Sequence, residues 1–455
     1  MKSVLFLSYY FPPVGGAGTQ RPTTFVRHLP QLGWEPIVVT GPGPADSRWT
    51  PRDDALLGAI PRELEVRRLP GPEPSGTSGV RDRLGRYVPL RTPWASWWIE
   101  GCVESAADLG REVDLIYAWM SPFESATAAV RIAKARRRPW VADLGDPWAL
   151  DEMMVYPTRL HRRRALRQMG ELLETAAAIV MSTPEAVRRV QEAFPRLRSK
   201  RIVAIANGFD GEDFAGPAPL RDDDSFRIVH TGYFHTELGL RHRHAGRLRR
   251  IAGGTASGVD FLTRSHVYLL QAIERLLQRD PALSQRLEVH LAGVLSPVDR
   301  DLAERSGVCK LHGYLSHRET VELVRSADLL FLPMQDLPMG TTASIVPGKT
   351  YEYLASGRPI LAAVPDGDAR ALLEEAGTAL LCRPADVECM ATTLARELER
   401  RRHGEPTPPP KPELVARYER RELTRRLAAI FDECTHSALL RGRGEAFRSP
   451  VGAAS

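Results

Sequence analysis

The feature that most constrains this chain is the alternation, from end to end, of short apolar runs with stretches of helical spacing. Val4, Leu5, Phe6 and Leu7 make one such run, bounded by turn signals in the manner of a strand buried on both faces. Phe25, Val26, Leu29 and Leu32 then recur at helical spacing, and Ile37, Val38 and Val39 make the next run. Repeated β-loop-α-β units predict parallel sheets covered by helices. The first series continues through residues 115–117, 141–142, 178–181 and 202–205, then loses its period over EDFAGPAPLRDDDS, residues 212–225. A second series starts at Phe226 and runs through 287–291, 329–332 and 360–363. The expectation is an α/β chain with two Rossmann-like domains, 1–215 and 226–402, facing each other across a cleft.

Other segments interrupt that pattern. Residues 237–260 hold RHRHAGRLRR and the glycine-rich IAGGTASGVD, which read as an insertion loop in the second domain, with contact to acidic lipid or a phosphorylated acceptor as its functional alternative. Residues 403–412, HGEPTPPPKP, form a stiff spacer. A last helix is predicted over 411–436, with Leu414, Tyr418, Leu427 and Ile430 on one face, followed by a disordered tail over 437–455.

At 455 residues the chain exceeds one ordinary core, which agrees with two domains. No stretch approaches the ~20 apolar residues of a membrane span, and the first apolar run ends at Pro12-Pro13 without a cleavage site, so a cytoplasmic protein is expected. Five scattered cysteines with no C-x-x-C pair read as reduced thiols, with neither zinc nor a disulfide. His230, His235, His242 and His244 make no zinc pattern either. A net charge of +6 favours anionic partners such as nucleotides, phospholipid surfaces or nucleic acid.

Two stretches carry the chemistry. SYYFPPVGGAGTQR, residues 8–21, takes the chain from a strand through Gly15, Gly16 and Gly18 into a helix. Glycine lets backbone approach a ligand, and a helix start presents free N–H groups to an anion. The spacing is not G-x-G-x-x-G, so a tight packing turn stands as the alternative. The second stretch is VPGKTYEYLASGRPILA, residues 346–362. Lys349 enters a helix at its positive end, where a diphosphate would explain a further cation, and Glu352 can share its face and accept from a ribose diol. A local Lys349–Glu352 surface pair is the structural alternative.

The second run resembles the donor-nucleotide segment of the GT-B glycosyltransferases, in particular their retaining family 4 group. The opening, with Tyr10-Phe11-Pro12-Pro13, Gly15-Gly16 and Arg21, resembles the N-terminal loop of the same group. So, in order, do residues 143–148 (DLGDPW), Asn207-Gly208-Phe209-Asp210, His230-Thr231-Gly232, Leu291-Ala292-Gly293, His312-Gly313-Tyr314 and Ala327-Asp328, covering roughly residues 2 to 400.

The resemblance implies a metal-independent retaining transferase that needs no cofactor. It would take an NDP-sugar as donor mainly on the second domain and an acceptor mainly on the first. The acceptor would be a glycan, a lipid-linked or a small molecule, in cell-surface polysaccharide or glycoconjugate assembly in bacteria. The last helix would return to the first domain. Glu352 would hold the ribose, Lys349 with Val346, Pro347 and Gly348 the diphosphate, and Gly15 and Gly16 would let the first domain reach the ligand. Gly18, Arg21, Gly232, Ser344 and Tyr351 are the other substrate-binding candidates.

Departures from the family pattern are specific. Its E-x7-E pair would place a glutamate where Ser344 stands, Arg264 is the candidate for an early basic pair that lacks its lysine, and a family histidine is absent from residues 117–124, where Ser121 or Glu124 would line the cleft. Asp143 and Asp146 read as acceptor-binding or proton-accepting carboxylates, Asp146 with Lys349 and Arg264 forming the catalytic set, or as caps around the turn at Pro147. Trp94, Trp97 and Trp98 beside Arg83, Arg86 and Arg91 could touch an anionic membrane peripherally, or be the core face of a helix. A non-catalytic partner-binding protein and an NDP-sugar epimerase of the same fold are the alternatives; nucleic-acid binding, resting on the arginine insertion alone, is not expected.

Overall fold

A computed structural model of the chain describes residues 1–45, 50–71, 92–244, 256–405 and 408–446. The first sheet has seven strands: β1 (Lys2–Leu7), β2 (Trp34–Thr40), β3 (Glu65–Arg68), β4 (Leu115–Trp119), β5 (Trp140–Leu144), β6 (Ala178–Met181) and β7 (Arg201–Ala204). Their order is β3-β2-β1-β4-β5-β6-β7, all parallel, with Lys2 opposite Trp34 in the β1–β2 register. The second sheet has six: β8 (Phe226–Thr231), β9 (Leu287–Ala292), β10 (Cys309–Gly313), β11 (Leu329–Pro333), β12 (Ile360–Ala363) and β13 (Ala379–Cys382). They run β10-β9-β8-β11-β12-β13, again all parallel.

Strand order reverses between β1 and β4 in one sheet and between β8 and β11 in the other, which opens a crevice beyond the strand ends. Loops from these two ends meet. Tyr314, after β10, reaches Asp53 of the first domain through its hydroxyl at 3.3 Å, and Thr183, after β6, donates to the carbonyl of Ser344 at 2.7 Å. The same Thr183 hydroxyl caps the helix Pro184–Ala193 at Ala186 N, so one helix cap also ties the domains together.

The long helix Arg420–Ala446 lies on the first domain, although it follows the second in sequence. Phe431 sets its ring edge-on to Trp34 at 5.3 Å and Tyr117 at 5.8 Å, and is fully buried. Burying such a ring is worth about 2–3 kcal/mol, enough to anchor the return. The helix continues through 437–446, where an irregular tail was expected; the absence of glycine or proline from 420–440 leaves nothing to end it at Cys434. Residues 447–455 lie outside the described residues.

Three further expectations change. Residues 237–244 are not loop: helix Thr236–His244 packs Gly239 against the Leu262 backbone, Thr236 hydrogen-bonds Asp299, and Val259 is buried in the core. Residues 245–255, most of the arginine-rich run, lie outside the described residues. Cys382 and Cys389 are joined as a disulfide, because the turn from β13 into helix Val387–Arg402 brings their Cα atoms to 5.9 Å. Trp94 and Trp98 are buried on helix Pro93–Ala107 and Trp97 donates to the Pro70 carbonyl at 3.1 Å, so these rings belong to the packing and not to a membrane face. Arg83, Arg86 and Arg91 lie outside the described residues. Among the described residues no helix is long and apolar enough to cross a membrane.

Candidate active site

Lys349 opens the short helix Lys349–Ala355, and its side chain is half-buried toward the end of β8. Its Nζ lies 3.2 Å from Nε2 of His230. The other ring nitrogen of His230 is 3.0 Å from the Phe331 carbonyl, which assigns the proton to Nδ1 and leaves Nε2 to accept from the ammonium. Gly232 has φ +110, and a Cβ there would stand 2.7 Å from Lys349 Nζ. Glycine thus keeps this space for the ammonium. Among the described residues no carboxylate lies within ion-pair distance of Lys349. Burial first, then repulsion from Arg264, draws its pKa down to about 7, with Glu352 opposing. A desolvated ammonium without a counter-ion is an anion site in waiting.

Arg264 follows the turn Phe261–Thr263 and donates to Gln335 Oε1 at 3.3 Å. The amide nitrogen of Gln335 donates to Glu152 Oε1 at 2.9 Å, across the domain boundary. Ser344 is fully buried and also turns to Glu152: its hydroxyl donates to Oε2 at 2.6 Å and its N–H to Oε1 at 3.1 Å. As a direct sugar contact Ser344 is therefore corrected, since both of its donors are spent on a first-domain carboxylate.

Asp146 stands on the loop after β5 with its side chain open to solvent and without a hydrogen bond among the described residues. Its pKa is raised, first by the protein packed around this part of the cleft; Arg264, from the other domain, pulls it down, and Glu152 pushes it up. Two residues on, Trp148 takes φ +47, a left-handed conformation unusual for a bulky residue, and stacks on Phe123 at 4.8 Å. That bend turns the chain away immediately after Asp146.

Arg21 and Asp143 are corrected as ligand contacts. Both are buried, and Arg21 grips Asp143 through Nε and Nη2, each at 3.0 Å from a carboxylate oxygen. Tyr117 donates to Asp143 Oδ2 at 2.5 Å, and Arg21 Nη1 to the Ala206 carbonyl at 2.7 Å. Burial raises the Asp143 pKa against the pull of Arg21. With both side chains almost fully buried, the pair serves as a structural ion pair near the glycine loop.

The glycine loop meets the other domain directly. A Cβ at Gly15 would fall 1.9 Å from the Tyr314 hydroxyl, and one at Gly18 would touch the Tyr10 ring at 3.1 Å, whereas Gly16, at φ +93, faces open space. Glu352 is enclosed beside the returning helix, its Oε1 3.7 Å from Arg420 Nη2. Arg420 also holds Asp210 at 2.8 Å and Gln20 at 2.6 Å. Tyr351 is buried against the Tyr418 ring at 4.9 Å and is corrected from ligand contact to packing. Val346 and Pro347 are buried too, and a Cβ at Gly348 would stand 3.9 Å from the Asn207 side chain. Ser121 is half-buried on the loop after β4.

Lys349, His230, Gly232, Arg264, Gln335, Glu152 and Asp146 thus gather where the two domains meet. His230, Gln335, Glu152, Tyr314 and Arg420 were not selected as site residues from sequence. The first sits two residues before Gly232 in the HTG run and could have been picked out there; the rest are joined only by folding.

Two parallel-sheet α/β domains facing across such a cleft are the architecture of the GT-B glycosyltransferases, and the solved structures agree. HepE of Anabaena, in complex with UDP and glucose, superposes at TM-score 0.57 and 17% identity over 95% of this chain and 100% of that one. Sucrose-phosphate synthase of Thermosynechococcus elongatus superposes at 0.57 and 15% over 99% and 100%, and a trehalose 6-phosphate synthase of Burkholderia multivorans at 0.58 and 14% over 96% and 100%. Residues 259–400, which include Arg264, Gln335, Ser344, Lys349 and Glu352, match the family model Glycosyl transferases group 1. No curated protein matches the chain in sequence.

Proposed function

We propose that this protein is a retaining glycosyltransferase that moves a sugar from a nucleoside-diphosphate sugar to an acceptor in the interdomain cleft. One observation carries the reading: Lys349, half-buried beside His230 and without a carboxylate partner among the described residues, within the segment that matches the group 1 transferases. Its ammonium and the Arg264 guanidinium would face the diphosphate, where negative charge grows as the glycosidic bond to the leaving nucleotide breaks. Fixed cations at that point lower the barrier most, and no metal or cofactor is required in this reading. Glu352 would accept from the ribose diol, Gly16 would leave room for the donor and Gly232 for the Lys349 ammonium that meets it, and Asp146 would take the proton of the acceptor hydroxyl or orient it. The acceptor is a glycan, a lipid-linked or a small molecule, and the setting is cytoplasmic glycoconjugate assembly in a bacterium.

HepE is solved with UDP, so UDP leads the test, followed by GDP, TDP and ADP in calorimetric titration with Glu352→Ala as control. Saturable binding of one nucleotide, weakened in the variant, supports the donor site. Binding by none overturns it and leaves a partner-binding protein of this fold. Release of free nucleotide only when acceptor is supplied separates transfer from epimerisation.

A further inference from the structure

The Glu152 carboxylate is buried at the domain boundary and accepts from three donors of the second domain: the Gln335 amide at 2.9 Å, Ser344 N–H at 3.1 Å and Ser344 hydroxyl at 2.6 Å. Its remaining partner, Arg189 Nη1 at 2.8 Å, belongs to the first domain. Arg189 also donates to the Thr342 carbonyl at 2.5 Å, and Thr342 donates to Glu185 at 2.8 Å. The turn 342–344 is therefore held from the first domain at each of its ends.

We infer that Glu152 is a positioning residue: on domain closure its carboxylate fixes both the turn leading to Lys349 and the amide that aims Arg264. The inference rests on the transferase reading of the same cleft. Ser344 lies five residues before Lys349, and the intervening Ile345, Val346 and Pro347 are buried, so a displacement of the turn is passed along a packed segment. Gln335 has one donor end and one acceptor end. With its nitrogen on Glu152, its oxygen must face Arg264, so the carboxylate sets which way round the amide stands. A neutral isostere at 152, with one accepting and one donating end, no longer enforces this preference while keeping the volume. Glu152 does not touch the proposed ligand; it acts through Ser344 and Gln335.

The test uses the full chain as wild type, Glu152→Gln, Ser344→Ala and the double variant. Arg189 keeps its bonds to Glu185 at 3.0 Å and to the Leu150 carbonyl at 2.9 Å when Glu152 is changed to Gln, so the first domain should remain folded; Ser344→Ala, which removes one hydroxyl, is the milder variant. Affinity is measured for the nucleoside diphosphate that the wild type binds, by calorimetry, and for its plain nucleoside, by ligand-observed NMR. Glu152→Gln should weaken the diphosphate about 10-fold and leave the nucleoside within 2-fold, because only the phosphate-facing cations are displaced. Ser344→Ala should weaken it about 3-fold, and the double variant should be no worse than Glu152→Gln alone, since the two residues act through one contact. Equal losses for nucleoside and diphosphate, or none for either, would overturn the positioning role. A wild type that binds no nucleotide would overturn the transferase reading, and this one with it.

Discussion

Lys349 Nζ stands 3.2 Å from His230 Nε2, cation against imidazole, at the end of the strand that begins the second domain. Burial and the cations around it hold His230 well below its ordinary pKa, so the ring stays neutral and Lys349 alone carries the charge. With the lysine at about 7, the free protein is charged there below neutral pH and largely neutral above. A bound diphosphate favours the charged form and raises that pKa. Binding above pH 7 must therefore take up a proton, and affinity should fall as pH rises from 7 to 9, by up to about tenfold per unit. Calorimetry in two buffers of different ionisation enthalpy reads the uptake. Lys349→Arg, whose guanidinium keeps its proton, should show a flat profile; the same slope in that variant would remove Lys349 as the cause.

Replacing Lys349 by Ala should slow transfer by about 2–4 kcal/mol of barrier and leave the fold intact, because the side chain makes no ion pair that folding needs. Unchanged turnover would dismiss the lysine from the chemistry.

Arg21 and Asp143 predict the opposite balance. Removing one member leaves the other charged and buried, so Arg21→Ala should cost about 3–5 kcal/mol in urea denaturation, whatever happens to activity. A variant of normal stability that had lost only turnover would mean that the pair serves the ligand after all.

Asp146→Asn should leave stability within about 0.5 kcal/mol, since among the described residues the side chain has no hydrogen bond to lose and it sits among the acidic Asp151 and Glu152. Transfer to the acceptor should fall about 100-fold or more while nucleotide affinity holds. Loss of nucleotide binding instead would place this carboxylate on the donor.

Gly15→Ala should hold the domains apart, because its methyl group would overlap the Tyr314 hydroxyl. Small-angle scattering should show a larger radius of gyration, reversed by adding Tyr314→Ala, which removes the obstructing ring. A compact Gly15→Ala protein would mean that the loop yields instead.

How far the chain could be read follows from the range over which each feature is encoded. Strands such as Val4–Leu7, wholly apolar and buried on both faces, and Phe226–Val229, apolar and buried except at Arg227, were legible as short apolar runs. Helix Thr236–His244 was not: its surface is mostly charged, and only packing of Gly239 on Leu262 shows that it belongs to the domain. The same limit hid the disulfide, since two cysteines seven positions apart say nothing until the turn after β13 is formed.

The site divides along the same line. Sequence by itself determined two α/β units, the glycine loop and the 346–352 run, because each lies within one or two turns of chain, where local sterics and periodicity act. Tertiary structure alone decided that Arg21 and Asp143 spend their charges on each other, that Ser344 answers to Glu152, 192 residues away, and that Tyr314 fills the space above Gly15. The physical reason is that a charge or a hydroxyl has no assigned partner until folding removes water from around it, and the groups then within 3 Å come from whichever loops the two sheets bring together.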